Sequence, residues 1–406
     1  MTKSESDMNK ALPNFRFSLV YFVLFTLYGV ATPYLQILVQ GLGYGPAAVG
    51  FLLGLFEVAG LAGPLLLGGL SDRARSPRPV LLGLALSSML ALLPLILVPR
   101  FLVTMLSLAL LAVGIRTLIP FTDAAAVAFG EASGRRRGSA GYGKIRVFGS
   151  AGFIVTAVVL QSIPGFDKSP PWRIAVYMAV GAAAFCASLL LLPKAGTVAA
   201  AVAGEGAAAG PRPRTLGGIR GIDPVFLLGV AVIALGRIAM APITSFLSLY
   251  VVDDLKWNAV GALWALSACA EMPLMVLAGG IIRRTGAMGA IAIASVAVAL
   301  RLAIYAIFPS PGGVIAGQLL HSLCYGLFQP AAVAFVALRI PPEQRSRGMA
   351  VFTSLGVGLP TFLGSSLGGL VVQAAGYRVL FAVYTVFAAA SVGLYLAARR
   401  RFAERG

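Results

Sequence analysis

The sequence predicts an all-α membrane protein, with twelve transmembrane helices forming two pseudo-symmetric six-helix bundles. Three observations lead there. Of 406 residues, 59% are hydrophobic and only 11% are charged, against roughly 25% charged in a soluble domain. So little polar surface cannot coat a particle in water. That excludes an ordinary soluble enzyme, a disordered chain and a disulfide-stapled secreted domain. Second, the apolar residues fall into runs near the roughly 20 residues that cross a bilayer. Third, the two halves of the chain share a weak repeat.

Each span is bounded by charge or by Pro and Gly. Span one, 15–38, is too long for a signal-peptide core and ends without a small-residue cleavage site, so it is expected to be retained. Span two, 47–70, runs into the basic stretch GGLSDRARSPR at 68–78. Spans three to six are 79–98, 101–127, 143–164 and 172–193, with Arg116 and Asp123 in the fourth and Arg146 in the fifth. The second half holds 224–250 with Arg237, 259–282 with Glu271, 287–308 with Arg301 and 311–338 with His321. It closes with 347–372 and 376–398, the last followed by Arg399, Arg400 and Arg401. The spans nearly tile the chain and leave no room for a sizeable soluble domain.

The predicted domains are a bundle over 1–193, a linker over 194–223 and a bundle over 224–406. The linker is rich in Ala, Gly, Pro and Arg with no periodic apolar face, as expected of a flexible connector. In the repeat, Thr32-Pro33-Tyr34-Leu35, Ala48-Val49-Gly50 and Gly68-Gly69 answer to Thr244-Ser245-Phe246-Leu247, Ala259-Val260-Gly261 and Gly279-Gly280. Equivalent positions lie about 211 residues apart, the pattern of a two-halved transporter.

A net charge of +18 could suggest nucleic acid, but the basic residues sit in short breaks between apolar runs. With the N-terminus in the cytoplasm, about 23 of the 32 Lys and Arg fall on that side and five outside. Both termini are therefore expected in the cytoplasm, in a bacterial-type inner membrane, with lipid and a small solute as partners, no nucleic acid, and a monomer as the assembly. Cys186, Cys269 and Cys324 lie inside apolar runs without CxxC spacing, so neither disulfide nor metal is expected. No HExxH or P-loop occurs, and one histidine cannot build a multi-histidine centre, so an enzyme is not expected.

Charges inside the spans carry the functional reading. Glu57, Arg116, Asp123, Arg146, Arg237, Glu271 and Arg301 would together cost about 20 kcal/mol facing lipid, at roughly 3 kcal/mol each. Pairing or a hydrated crevice must remove most of that cost. Arg116 and Asp123 are seven apart and share a helical face. Glu271, Arg301 and His321 come from three consecutive spans and combine an acid, a fixed cation and an imidazole that titrates near neutrality. Gln318 and Gln329 are polar enough to line a cavity, as are Tyr28, Tyr34 and Gln36. Four Arg against three acids favour an anionic solute.

The 68–78 stretch, with Gly68, Asp72 and Arg73, resembles the Gly-x-Leu-x-Asp-Arg signature of the major facilitator superfamily, with Arg75 where a glycine is usual. That resemblance implies the major facilitator fold and a cytoplasmic latch between its halves. Asp123, the run Tyr142-Gly143-Lys144-Ile145-Arg146-Val147-Phe148-Gly149-Ser150, Ala270-Glu271-Met272-Pro273 and Leu320-His321 resemble the phenylpropionate-permease-like group, related to the oligosaccharide:proton symporters. By that resemblance Asp123 and Arg146 contact solute, while Glu271, Arg301 and His321 couple binding to protonation. Ser322, Leu323, Cys324 and Tyr325 stand where the sugar symporters carry a second acid, and Gln329 where the permease group often has a second histidine. A coupling proton is thereby left to Glu271, His321 or Asp123. The resulting expectation is a cofactor-free secondary transporter of a small polar or anionic organic solute, working by alternating access as a proton symporter. A proton-coupled drug or metabolite exporter is the alternative.

Overall fold

Three helices begin where a small polar residue precedes proline. In the computed structural model, which describes residues 3–73, 76–132, 140–192, 223–341 and 344–403, Ser76, Asp223 and Ser310 cap the helices that start at Pro77, Pro224 and Pro311. Each cap oxygen accepts from a backbone N–H of the first turn, at 3.4, 2.9 and 3.2 Å. Proline at the first helical position has no N–H to leave unsatisfied.

Ten helical segments among the described residues are long and apolar enough to cross a membrane. They are α1 (Phe15–Gly41), α2 (Pro46–Pro64), α3 (Pro77–Leu97), α4 (Phe101–Val127), α5 (Ile145–Ser162), α6 (Pro171–Leu191), α7 (Pro224–Asp254), α8 (Val260–Ile307), α9 (Pro311–Arg339) and α10 (Gly348–Phe402). Two are far too long for one crossing. At 1.5 Å per residue the 48 residues of α8 would extend about 70 Å, more than twice the roughly 30 Å hydrocarbon core. Both α8 and the 55-residue α10 break at one non-helical glycine, Gly286 (φ 72°, ψ 162°) and Gly376 (φ 81°, ψ 178°). Only glycine adopts such positive φ at little cost. Divided at these two breaks, the ten segments give twelve lengths, and the sequence-predicted boundaries 282/287 and 372/376 bracket them. The protein is all-helical and multi-pass.

The chain forms two compact units, Met1–Leu42 with Ala59–Ala208 and Gly43–Val58 with Ala209–Gly406. In the first, α1 packs against α5 and α6, and α3 against α4 and α6. Small residues set the close approaches. Gly149 and Gly152 of α5 lie on Phe25 and Phe22 of α1, and Gly29 of α1 lies on Thr156 of α5. A side chain at Gly152 would run into the Phe22 carbonyl oxygen. Such contacts suit a membrane, where lipid removes the hydrophobic drive between helices and packing must hold them.

In the second unit α10 packs against α7 and α8, and α9 against α8. Gly364 of α10 meets Ala241 and Ile238 of α7, and Gly317 of α9 meets Tyr305 of α8. Residues 43–58, from the first half of the sequence, cluster here. Gly50 and Gly54 of α2 face Ser365, Gly369 and Phe362 of α10, and the Ala47 N–H donates to Gln373 Oε1 at 3.3 Å. Three stretches of this unit are π-helical: Tyr250–Asp254, Ser322–Leu327 and Phe352–Gly358. Widened turns of that kind are frequent at functional sites. The latch residues Gly68, Asp72 and Arg73 continue the helix of α2, but their side chains lie outside the described residues, as does nearly all of the 194–223 linker.

Candidate functional site

The first unit closes its ionisable groups on one another. Arg146 on α5 donates from Nη1 to both carboxylate oxygens of Asp123 on α4, at 2.9 and 3.3 Å, and Tyr21 of α1 donates its hydroxyl to Asp123 Oδ1 at 2.5 Å. The guanidinium also sits over the Phe25 ring, 5.4 Å from its centroid. Three helices thus hold one acid and one cation, each side chain about a third exposed. A charge pair exposed to that extent within membrane-spanning helices needs a polar medium beside it. Arg116, two turns away from Asp123 on α4, lies along Gly60 with its aliphatic stem and is exposed. Of the other polar residues of this unit, Tyr28 donates to the Ile115 carbonyl at 2.5 Å and Tyr34 to buried Asp167 at 3.1 Å.

The second unit treats its charges differently. Arg301 on α8 is fully buried, 0% exposed, and its hydrogen bonds go to neutral groups. Nε donates to Tyr305 Oη at 2.8 Å, Nη1 to His321 Nδ1 at 3.0 Å, and Nη2 to Gln318 Oε1. Tyr305 is one turn along α8, and Gln318 and His321 are one turn apart on α9, so spacings of four and three build the cage. Gln318 is anchored in turn by its amide on the Leu263 carbonyl at 2.9 Å. A guanidinium offers only donors, so His321 Nδ1 must accept and the ring proton sits on Nε2. His321 is therefore held as one neutral tautomer here.

Aromatic rings continue the wall. His321 stacks on Tyr325 with centroids 4.7 Å apart at 18°, and Trp264 lies edge-on at 6.4 Å. Trp264 is fixed by donating to Ser248 Oγ at 3.1 Å. Glu271, partly buried, lies against Gly326 in the π-helical turn; a β-carbon there would come within 3.1 Å of the Glu271 Cγ. Arg237 on α7 and Glu57 on α2 lie near enough for their charges to act on Tyr325. Gln329 is exposed.

The structure thus joins Asp123 with Arg146, and Arg301 with Gln318 and His321. It adds Tyr21, Phe25, Tyr305 and Trp264, which sequence reasoning did not single out. The offset of four between Arg301 and Tyr305 was the available signal for one of them; the Tyr21 to Asp123 contact spans 102 residues and left none.

A family model described as the MFS_1 like family matches residues 14–383. The chain is 25% identical over 377 residues to a protein of Escherichia coli named probable 3-phenylpropionic acid transporter, covering 91% of this chain and 94% of that one. It is 24% identical to the maltose permease of Geobacillus stearothermophilus, over 88% and 87% of the two chains. Among solved structures, the nucleoside transporter NupG superposes with a TM-score of 0.75 at 20% identity, covering 96% and 99%. The xylose transporter XylE of E. coli superposes with a TM-score of 0.66 at 14% identity, over 95% and 97%.

Proposed function

The chain belongs to the MFS_1-like family and is a membrane transporter of small organic solutes, not an enzyme; from that premise we propose that it imports an organic carboxylate together with a proton across the cytoplasmic membrane. The observation that carries this reading is the buried Arg301, whose cage is neutral. With Arg116, Arg146 and Arg237 it makes four span arginines against the acids Glu57, Asp123 and Glu271, a balance that favours an anionic solute. The name of the E. coli relative, a carboxylic acid transporter, points the same way and further suggests an aromatic tail.

One proton carried with one monocarboxylate moves no net charge. The pH difference then drives accumulation, worth about 1.4 kcal/mol or tenfold per unit, and the membrane potential does not. Asp123 is tied to Arg146 and Tyr21, and His321 meets the guanidinium through Nδ1. We assign the coupling proton to Glu271, the acid beside the π-helical turn that carries His321's neighbours. The alternation of access runs between the two halves, with both termini on the cytoplasmic side, as the lysine and arginine asymmetry supports.

The test is uptake of labelled 3-phenylpropionate into proteoliposomes. An inward proton gradient should drive accumulation, a protonophore should abolish it, and a potassium diffusion potential alone should not. With Glu271→Gln, exchange of internal for external solute should persist while gradient-driven accumulation is lost. Accumulation by the parent that ignores the protonophore would refute symport.

A further inference from the structure

Three buried polar atoms of the second unit have no hydrogen-bond partner among the described residues: Arg237 Nε on α7, Tyr325 Oη on α9 and Ser366 Oγ on α10. A buried donor without an acceptor costs about 1–3 kcal/mol, and most native structures avoid it. Arg237 and Tyr325 stand where α7 and α9 approach closely: a β-carbon at Gly236 would lie 3.4 Å from the Phe328 ring, one turn along α9 from Tyr325, and the Arg237 charge reaches the Tyr325 hydroxyl. The Tyr325 ring is not free to turn away, because it stacks on His321 and sits within the π-helical turn Ser322–Leu327. A π turn closes i→i+5 bonds, which lets residues four apart superpose more closely than on an α-helix.

We infer that Arg237 and Tyr325 form the head-group site of the solute, an N–H and an O–H that jointly receive a carboxylate. This rests on the transport reading above and sharpens it. The chemistry selects the ligand: both groups donate, one is cationic, and Nε with the adjacent Nη presents the edge of a guanidinium that carboxylates grip in bidentate fashion. Arg301 is the poorer candidate, since Tyr305, His321 and Gln318 take three of its five N–H donors, one on each nitrogen. The Tyr325, His321 and Trp264 rings stand beside the site and suit an aromatic tail. Glu57, whose charge also reaches Tyr325, disfavours a dianion.

The experiment is equilibrium binding to purified protein in lipid nanodiscs, with 3-phenylpropionate and its uncharged amide as probes. The parent should bind the acid at least tenfold more tightly than the amide. Tyr325→Phe, which deletes one oxygen and keeps the stacked ring, should weaken acid binding about tenfold or more, the loss of one hydrogen bond to a charged group, and leave the amide unchanged. Arg237→Lys, which keeps the charge but loses the Nε donor, should fall between parent and Arg237→Gln. As a measurement needing no variant, the acid and not the amide should raise the parent's unfolding temperature. Equal affinity for acid and amide would overturn the site, as would variants that bind the acid as the parent does, or a parent that ignores the acid while transporting another solute. Loss of proton-driven uptake with acid selectivity intact would instead refute symport and leave the site standing.

Discussion

The two units solve the same problem, ionisable groups inside membrane helices, in opposite ways. In the first, Asp123 receives Arg146 and Tyr21 and the charges cancel locally. In the second, Arg301 is buried in a cage of neutral acceptors, Arg237 and Tyr325 hold unmet donors, and three turns widen into π-helix. A closed ion pair has little left to offer a ligand. Unmet donors beside a fixed cation have a great deal, and irregular backbone is where helices present side chains in unusual register. The asymmetry teaches that near-repeated halves need not share the work of recognition equally.

Four substitutions put this contrast to the test. Arg301→Leu should lower transport at least 100-fold and also destabilise the second unit by about 2–5 kcal/mol, because it strands His321 Nδ1 and Gln318 Oε1 without their donor. Uptake and thermal unfolding measured on one preparation decide it; a protein that fails to fold would make Arg301 a structural cation. Gly152→Val should destabilise the first unit by about 3 kcal/mol, the upper part of the usual overpacking range, since its side chain meets the Phe22 backbone. Gln318→Leu should cost about 1.5–3 kcal/mol, because it removes an acceptor while the Arg301 charge stays. Denaturant unfolding would read both. Tyr21→Phe should be smallest, a few-fold change in transport, since Arg146 still satisfies Asp123. A loss as large as that of Tyr325→Phe would show that the first unit also reads the solute.

The span pattern was legible because run length near 20 apolar residues is a strong physical constraint, and even the breaks at Gly286 and Gly376 lie where the sequence places short turns. The Arg301 cage was half legible: helical spacing aligns Arg301 with Tyr305 and Gln318 with His321, but nothing local tells that α8 and α9 meet there. Resemblance cast Asp123 and Arg146 as solute contacts; that the two close on each other is a finding of the structure. The π turns left no trace, since their residues, Ser322–Leu327 among them, have ordinary apolar composition. The clustering of 43–58 with the second unit escaped as well, because it depends on glycine faces more than 300 residues apart.

That last feature bears on cutting the chain. Severing it within the long connector would leave the amino-terminal fragment with a bare strip at Gly50 and Gly54, whose seat, Phe362 to Gly369, travels with the other fragment. Neither piece alone would be complete, and joint expression should restore what separate expression loses.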